Sequence, residues 1–154
     1  METYVLSDFL FNENHGIDLK AAKKDNLMSI LDGEVITTVS TFKSDQYAVN
    51  SFGNKVIIES KVRGSTVRIM YCHLDSVSVK EGDSVTNGDI IGKVGKTGNA
   101  AKMADSEVHV HIEAATGGKS PSKGNNANRV NPELYMPTKF DSEGNALTWK
   151  KYYF

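Results

Sequence analysis

The sequence predicts a β-dominated domain, an antiparallel sheet fold with few short helices, and three observations carry that prediction. Apolar and β-branched residues gather in many short runs, such as 34–39, 55–60 and 66–74. Glycine turns separate those runs at close spacing, at Asp32-Gly33, Phe52-Gly53, Arg63-Gly64, Glu81-Gly82 and Asn87-Gly88. No long segment shows an apolar stripe of helical period, so the pattern argues for short strands rather than helices. With 154 residues the chain is most simply one domain, 1–154, large enough to bury a sizeable core.

Taken in order, residues 1–13 form a lead-in with apolar spots and no clear period. Asn14-His15-Gly16-Ile17-Asp18-Leu19 follows, with Gly16 permitting a tight backbone. Residues 20–26 are polar and read as a loop or one helical turn. The run 27–31 leads through Asp32-Gly33 into a strand at 34–39, and 40–51 is a polar surface loop. The runs 55–60 and 66–74, joined through Arg63-Gly64-Ser65, read as an antiparallel hairpin whose second strand delivers His73 to its end. Short strands broken by glycine turns occupy 77–85 and 87–95. Residues 99–107 have the propensity for a brief helix or flap. The segment 117–129, rich in Gly, Ser, Lys and Asn with Pro121 inside, reads as a mobile loop. Asn131-Pro132 enters one short helical turn. The tail 137–154, with Trp149, Tyr152, Tyr153 and Phe154, is aromatic enough to pack on the body or on a partner.

Composition narrows the function classes. Lys and Arg total 18 against 19 Asp and Glu, which points to neither nucleic acid nor an anionic membrane. No apolar run has the length of a membrane span. The N-terminal residues lack the basic start and apolar core of a signal peptide. The reading is therefore a chain that stays where it is made, a trimmed domain, or one carried in a larger assembly such as a phage tail. The single Cys72 excludes an internal disulfide and a multi-cysteine zinc knuckle, so any metal site must rest on Asp, Glu and the four histidines.

Those four are His15, His73, His109 and His111. Glu107-Val-His-Val-His-Ile-Glu113 alternates strictly, as a half-buried strand does, with Val108, Val110 and Ile112 toward the core. His109, His111 and Glu113 share the other face, about 6.6 Å apart in succession. Two imidazoles so placed can reach one site, although a surface strand that happens to carry two histidines reads equally well. His15 and Asp18 can converge in a turn; by themselves they read more readily as a solvated histidine and a capping aspartate. A lone strand-end histidine such as His73 is by itself more often structural.

The order of motifs is more specific than any one of them. Asn14-His-Gly-Ile-Asp-Leu, Asp32-Gly-Glu-Val, Phe52-Gly-Asn-Lys-Val-Ile-Ile and Tyr71-Cys-His-Leu are followed by 79–98, His109-Val-His-Ile-Glu and Asn131-Pro-Glu-Leu-Tyr. Over residues 14–136 this resembles the lysostaphin/LytM-type zinc endopeptidases, which cleave peptide bonds in peptidoglycan stems or cross-bridges. The resemblance implies Zn2+ as cofactor, a peptidoglycan peptide as substrate, and Asp18 and His111 as metal ligands. It also implies His73 and His109 as catalytic histidines. The family places its first ligand histidine four residues before the aspartate, where this chain has Asn14. We expect His15, one residue closer, to complete the set, with Asn14 as an alternative ligand or an orienting group beside the ligands, a role also open to Glu113. From Gly98 to His109 the chain is several residues longer than the family pattern, which implies an insert over the cleft.

Three protein ligands would leave one tetrahedral position for water. With no His-Glu-x-x-His helix to supply a glutamate base, proton transfer would fall to His73 and His109. Two other readings compete. One is a degenerate, non-catalytic module of the same family that binds a partner or the cell wall. The other follows from a likeness of 79–92 to lipoyl and biotinyl carrier domains, which lacks the modified-lysine tip those domains need.

Overall fold

The computed structural model describes residues 16–122 and 127–136, and the backbone of 5–7. His15, Asn14, most of the lead-in and the aromatic tail lie outside the described residues. Among the described residues there are eleven strands: β1 (Val5–Ser7), β2 (Ile17–Lys20), β3 (Asn26–Met28), β4 (Gly33–Val39), β5 (Asn54–Val62), β6 (Ser65–Leu74), β7 (Ser76–Val77), β8 (Ser84–Val85), β9 (Ile90–Lys93), β10 (His109–Thr116) and β11 (Arg129–Val130). The helical content among these residues is three single 3₁₀ turns, Asn99–Lys102, Asp105–Glu107 and Pro132–Tyr135.

The larger sheet runs β1-β2-β10-β6-β5-β4-β8, with β11 added on β10; a small sheet runs β3-β9-β7. All of these pairings are antiparallel. The β5–β6 hairpin expected from the sequence is present, joined at Arg63 and Gly64. Asp32-Gly33, by contrast, does not close a hairpin: it hands the chain from β3 in the small sheet to β4 in the large one. The run 77–85 is likewise divided between sheets, because Lys80 to Asp83 turns back on itself and Gly82 takes a φ of 93°. Residues 99–107 form two 3₁₀ turns, tied down by Asp105 to Lys96 at 2.8 Å and to Lys23 at 3.6 Å.

The alternation in the sequence becomes a two-faced sheet. Ile17 and Leu19 of β2, Val110 and Ile112 of β10, and Ile69 and Tyr71 of β6 are at most 1% exposed and share one core with Leu27 and Ile91 of the small sheet. Tyr71 links the two layers further, its hydroxyl accepting the Ile30 N–H at 2.9 Å. Burial raises the Tyr71 pKa, since no phenolate is tolerated there. The intervening residues occupy the opposite face. There the register sets Asp18 beside His111 and His111 beside Cys72, while Glu113 lies beside Met70 and Met70 beside Ile57. Ile57, Met70 and Cys72 make a second apolar cluster with Phe52 and Ile36 on that side. The polar pair Asp18–His111 therefore stands next to an apolar floor.

Candidate metal and catalytic site

Four of the sequence-derived site residues converge on this face. Asp18 and His111 are cross-strand partners, which brings the Nδ1 of His111 to 2.7 Å from Asp18 Oδ1. His109, two residues earlier on the same face of β10, places Nε2 3.5 Å from the same oxygen. His73 arrives from the end of β6, its ring centroid 6.3 Å from that of His111. The strand with two histidines is thus no surface strand. β10 sits inside the sheet between β2 and β6, and its histidine side chains are only 14% and 15% exposed.

Local backbone features aim these rings. His73 has φ 60°, in the left-handed region that a side chain with a Cβ occupies at a cost of about 1–2 kcal/mol. Its N–H donates to Phe52 O at 2.8 Å, and its Nδ1 lies 2.8 Å from Thr97 O. A carbonyl only accepts, so Nδ1 carries the proton and Nε2 keeps the lone pair. Thr97 is held in turn: its hydroxyl donates to Leu74 O and accepts the Asn54 N–H. Gly53 and Gly98 make this possible. Both have positive φ, and a Cβ on Gly98 would sit 2.4 Å from Gly53 N. The close crossing also brings Phe52 to the site, stacked on His111 at 6.3 Å with an interplanar angle of 9°. His109 Nδ1 lies 3.1 Å from Glu107 O, which makes it too the protonated nitrogen of its ring.

Electrostatics separate the histidines. Burial, aided by the neighbouring His111 and His109, pushes the His73 pKa down to about 4, so His73 is neutral at pH 7. Burial acts the same way on His111, but carboxylates on both its nitrogens outweigh it and hold the pKa at about 9. The second carboxylate is Glu113, whose Oε1 lies 3.3 Å from His111 Nε2 and 2.8 Å from Arg129 Nη1. Glu113 is 3% exposed; burial alone would raise its pKa, but these hydrogen bonds lower it. Burial pushes the thiol of Cys72 well up, which keeps it a neutral part of the apolar floor.

The donor chemistry fits a divalent ion in part. Asp18 and His111 offer a carboxylate oxygen and an imidazole nitrogen side by side, the donor types zinc takes. Among the described residues no group of three or more His, Cys, Asp and Glu is gathered closely enough to hold a metal. The third expected ligand, His15, lies outside the described residues, as does Asn14. Phe52, Thr97 and Arg129 are site residues that motif reading did not single out. The Phe52-Gly53 turn is legible in the sequence, but its crossing with Thr97-Gly98 is not.

The sequence model of peptidase family M23 matches residues 12–132. The chain belongs to that family. The cell division protein DipM of Caulobacter vibrioides is 29% identical over 124 residues, which are 80% of this chain and 17% of DipM. The murein hydrolase activator NlpD of Escherichia coli is 28% identical over 124 residues, 80% of this chain and 26% of NlpD. The chain therefore spans about a quarter or less of these relatives. Among solved structures, the catalytic domain of the antimicrobial peptidase lysostaphin from Staphylococcus simulans superposes with a TM-score of 0.60. The match covers 88% of this chain and 89% of that domain at 22% identity, a likeness of fold. The antiparallel, strand-rich architecture is the one expected for a LytM/lysostaphin-type domain.

Proposed function

We propose that this M23 domain is a zinc-dependent endopeptidase that hydrolyses peptide bonds in bacterial peptidoglycan. The observation that carries the reading is the convergence of Asp18, His111, His109 and His73 on one face of the sheet. Asp18 and His111, with His15, are the residues that would hold zinc. Bound there, the ion would supply a Lewis acid for the scissile carbonyl and a water acidic enough to attack at neutral pH.

The remaining chemistry belongs to the chain's own imidazoles. His73 and His109 each anchor Nδ1–H on a backbone carbonyl, so each presents Nε2 as the atom that takes a proton and returns it. His73 is neutral at pH 7 and His109 stands beside Asp18, and between them these two imidazoles would serve the attacking water and the leaving amine. Phe52, Met70, Ile57 and Cys72 keep the inner side of the site apolar, which strengthens each of these polar interactions.

A second reading has its own support. Asn14 stands where the family places its first ligand histidine, and one relative is named as an activator of murein hydrolases. On that reading the domain binds cell wall or a partner without cutting. Metal analysis and cell-wall zymography separate the two. The enzyme reading expects stoichiometric zinc, hydrolysis abolished by EDTA and restored by zinc, and a His15→Ala variant with reduced zinc content. Zinc-loaded protein inert on every peptidoglycan type would overturn the enzymatic reading in favour of the binding one. Unchanged zinc in His15→Ala would remove His15 from the ligand set.

A further inference from the structure

The side of His111 that faces away from Asp18 is held by a buried ion pair. Glu113 is 3% exposed and the Arg129 side chain 1%. Both His111 Nε2 and Arg129 Nη1 converge on one oxygen, Glu113 Oε1, at 3.3 and 2.8 Å. Its other oxygen, Oε2, makes no hydrogen bond among the described residues. The carboxylate is thus oriented for the histidine and the arginine together. Arg129 is brought there by β11, where it pairs with Ala115 of β10, and its Nη2 donates to Ser122 O. The space that Glu113 fills is left by Gly16: a Cβ there would come 2.8 Å from Glu113 Cγ and 2.1 Å from Ile112 O. Gly16 lies two residues before Asp18, so the backbone that supplies the carboxylate of the site is packed directly on the group that orients the imidazole.

A buried ion pair is a weak source of net stability, because desolvating two charges offsets most of their attraction. A group that accepts from the outer nitrogen of an imidazole ligand, however, fixes both its tautomer and its ring plane. We propose that Glu113 and Arg129 are a positioning pair for His111. Glu113 accepts the Nε2–H and so leaves Nδ1 as the nitrogen turned to Asp18 and to a metal ion, while Arg129 locks Glu113 in place. The purpose assigned to the pair rests on the zinc reading above; its effect on the ring does not.

The test uses Glu113→Gln, which keeps shape, and the double variant Glu113→Gln/Arg129→Met. The double change removes both charges together and keeps the test open if a lone buried arginine prevents folding. Two quantities are measured. One is zinc affinity, by competition with a chromophoric chelator. The other is the NMR contact between the rings of His111 and Phe52 in chelator-treated protein. A positioning role expects zinc affinity to fall about 10–100-fold and the ring contact to weaken or vanish, while the amide spectrum of β5 and β6 stays native. A merely structural role would lower the melting temperature and leave zinc affinity and ring contact as they were; that result overturns the proposal. If the parent protein takes up no zinc but the variants lose the ring contact, the positioning stands and the zinc reading fails. If zinc is absent and the contact persists in the variants, both fall.

Discussion

At His73 the chain accepts a backbone angle that asparagine adopts at lower cost, with φ at 60°. The site supplies a use for the strain, since this conformation lets the ring reach Thr97 O on one side and stand near His111 on the other. His73→Asn should fold as well as the parent, because asparagine tolerates that angle. We expect its peptidoglycan hydrolysis to fall by about 10²–10⁴-fold, the usual contribution of a proton-transferring side chain, with zinc content unchanged. A variant that loses zinc as well as activity would make His73 a part of the metal site instead. Residue identity alone marked His73, His109, His111 and Asp18, because their types and spacing carry chemistry. It did not mark Arg129 or Thr97. Their roles come from pairing across 16 residues to Glu113 and 24 residues to His73, distances over which sequence records no contact.

Individual strands were legible where alternation was clean. β10 reads its core and site faces directly from Val-His-Val-His-Ile, and the β5–β6 hairpin follows from two β-branched runs and a glycine. Sheet membership was not legible, because β3 and β4 adjoin in sequence yet belong to different sheets. The brief helix or flap read at 99–107 is two 3₁₀ turns, with Asp105 held by Lys96 and Lys23. The element most exposed to a single change is the crossing of the 51–53 and 97–98 loops. Gly98→Ala adds a methyl 2.4 Å from both Gly53 N and Ser51 O, at a φ of 75°. Backbone strain of this kind costs about 1–3 kcal/mol. The chemical-denaturation midpoint should drop accordingly. Activity should drop further than the fraction unfolded predicts, since Thr97 O and Phe52 both move with the crossing. A midpoint within error of the parent would show that the loops separate freely.

For the molecule as a whole, His73 and His111 shape stability against pH in opposite directions. His73 titrates at about 4 in the folded chain against about 6.5 unfolded. Between those values the unfolded chain binds a proton that the folded one refuses, so stability falls as the pH drops from 6.5 to 4. His111 titrates at about 9 folded, held up by Asp18 and Glu113. Its contribution is complete below 6.5 and is lost as the pH rises through 9. Chelator-treated protein should therefore be most heat-resistant near pH 6.5, with melting temperature declining on both sides. Substituting His111 by Gln should flatten the alkaline limb, while the acid limb, set chiefly by the burial of His73, persists in weaker form. A decline on the alkaline limb that survives the substitution would have another source.

The position of β10 in the large sheet has a consequence for how the protein is made. Asp18 and His111 are 93 residues apart, and β2 can join β6 only through β10. A growing chain can close the β5–β6 hairpin early, since its partners are near neighbours. Until residue 116 has been synthesised, however, β6 and β2 each keep an unpaired edge. The last broad piece to enter the sheet is the one that carries the paired histidines. Closure of the sheet and assembly of the site are then a single event, and a polypeptide cut short before His109 would display an adhesive edge with Asp18 and His73 but no assembled site.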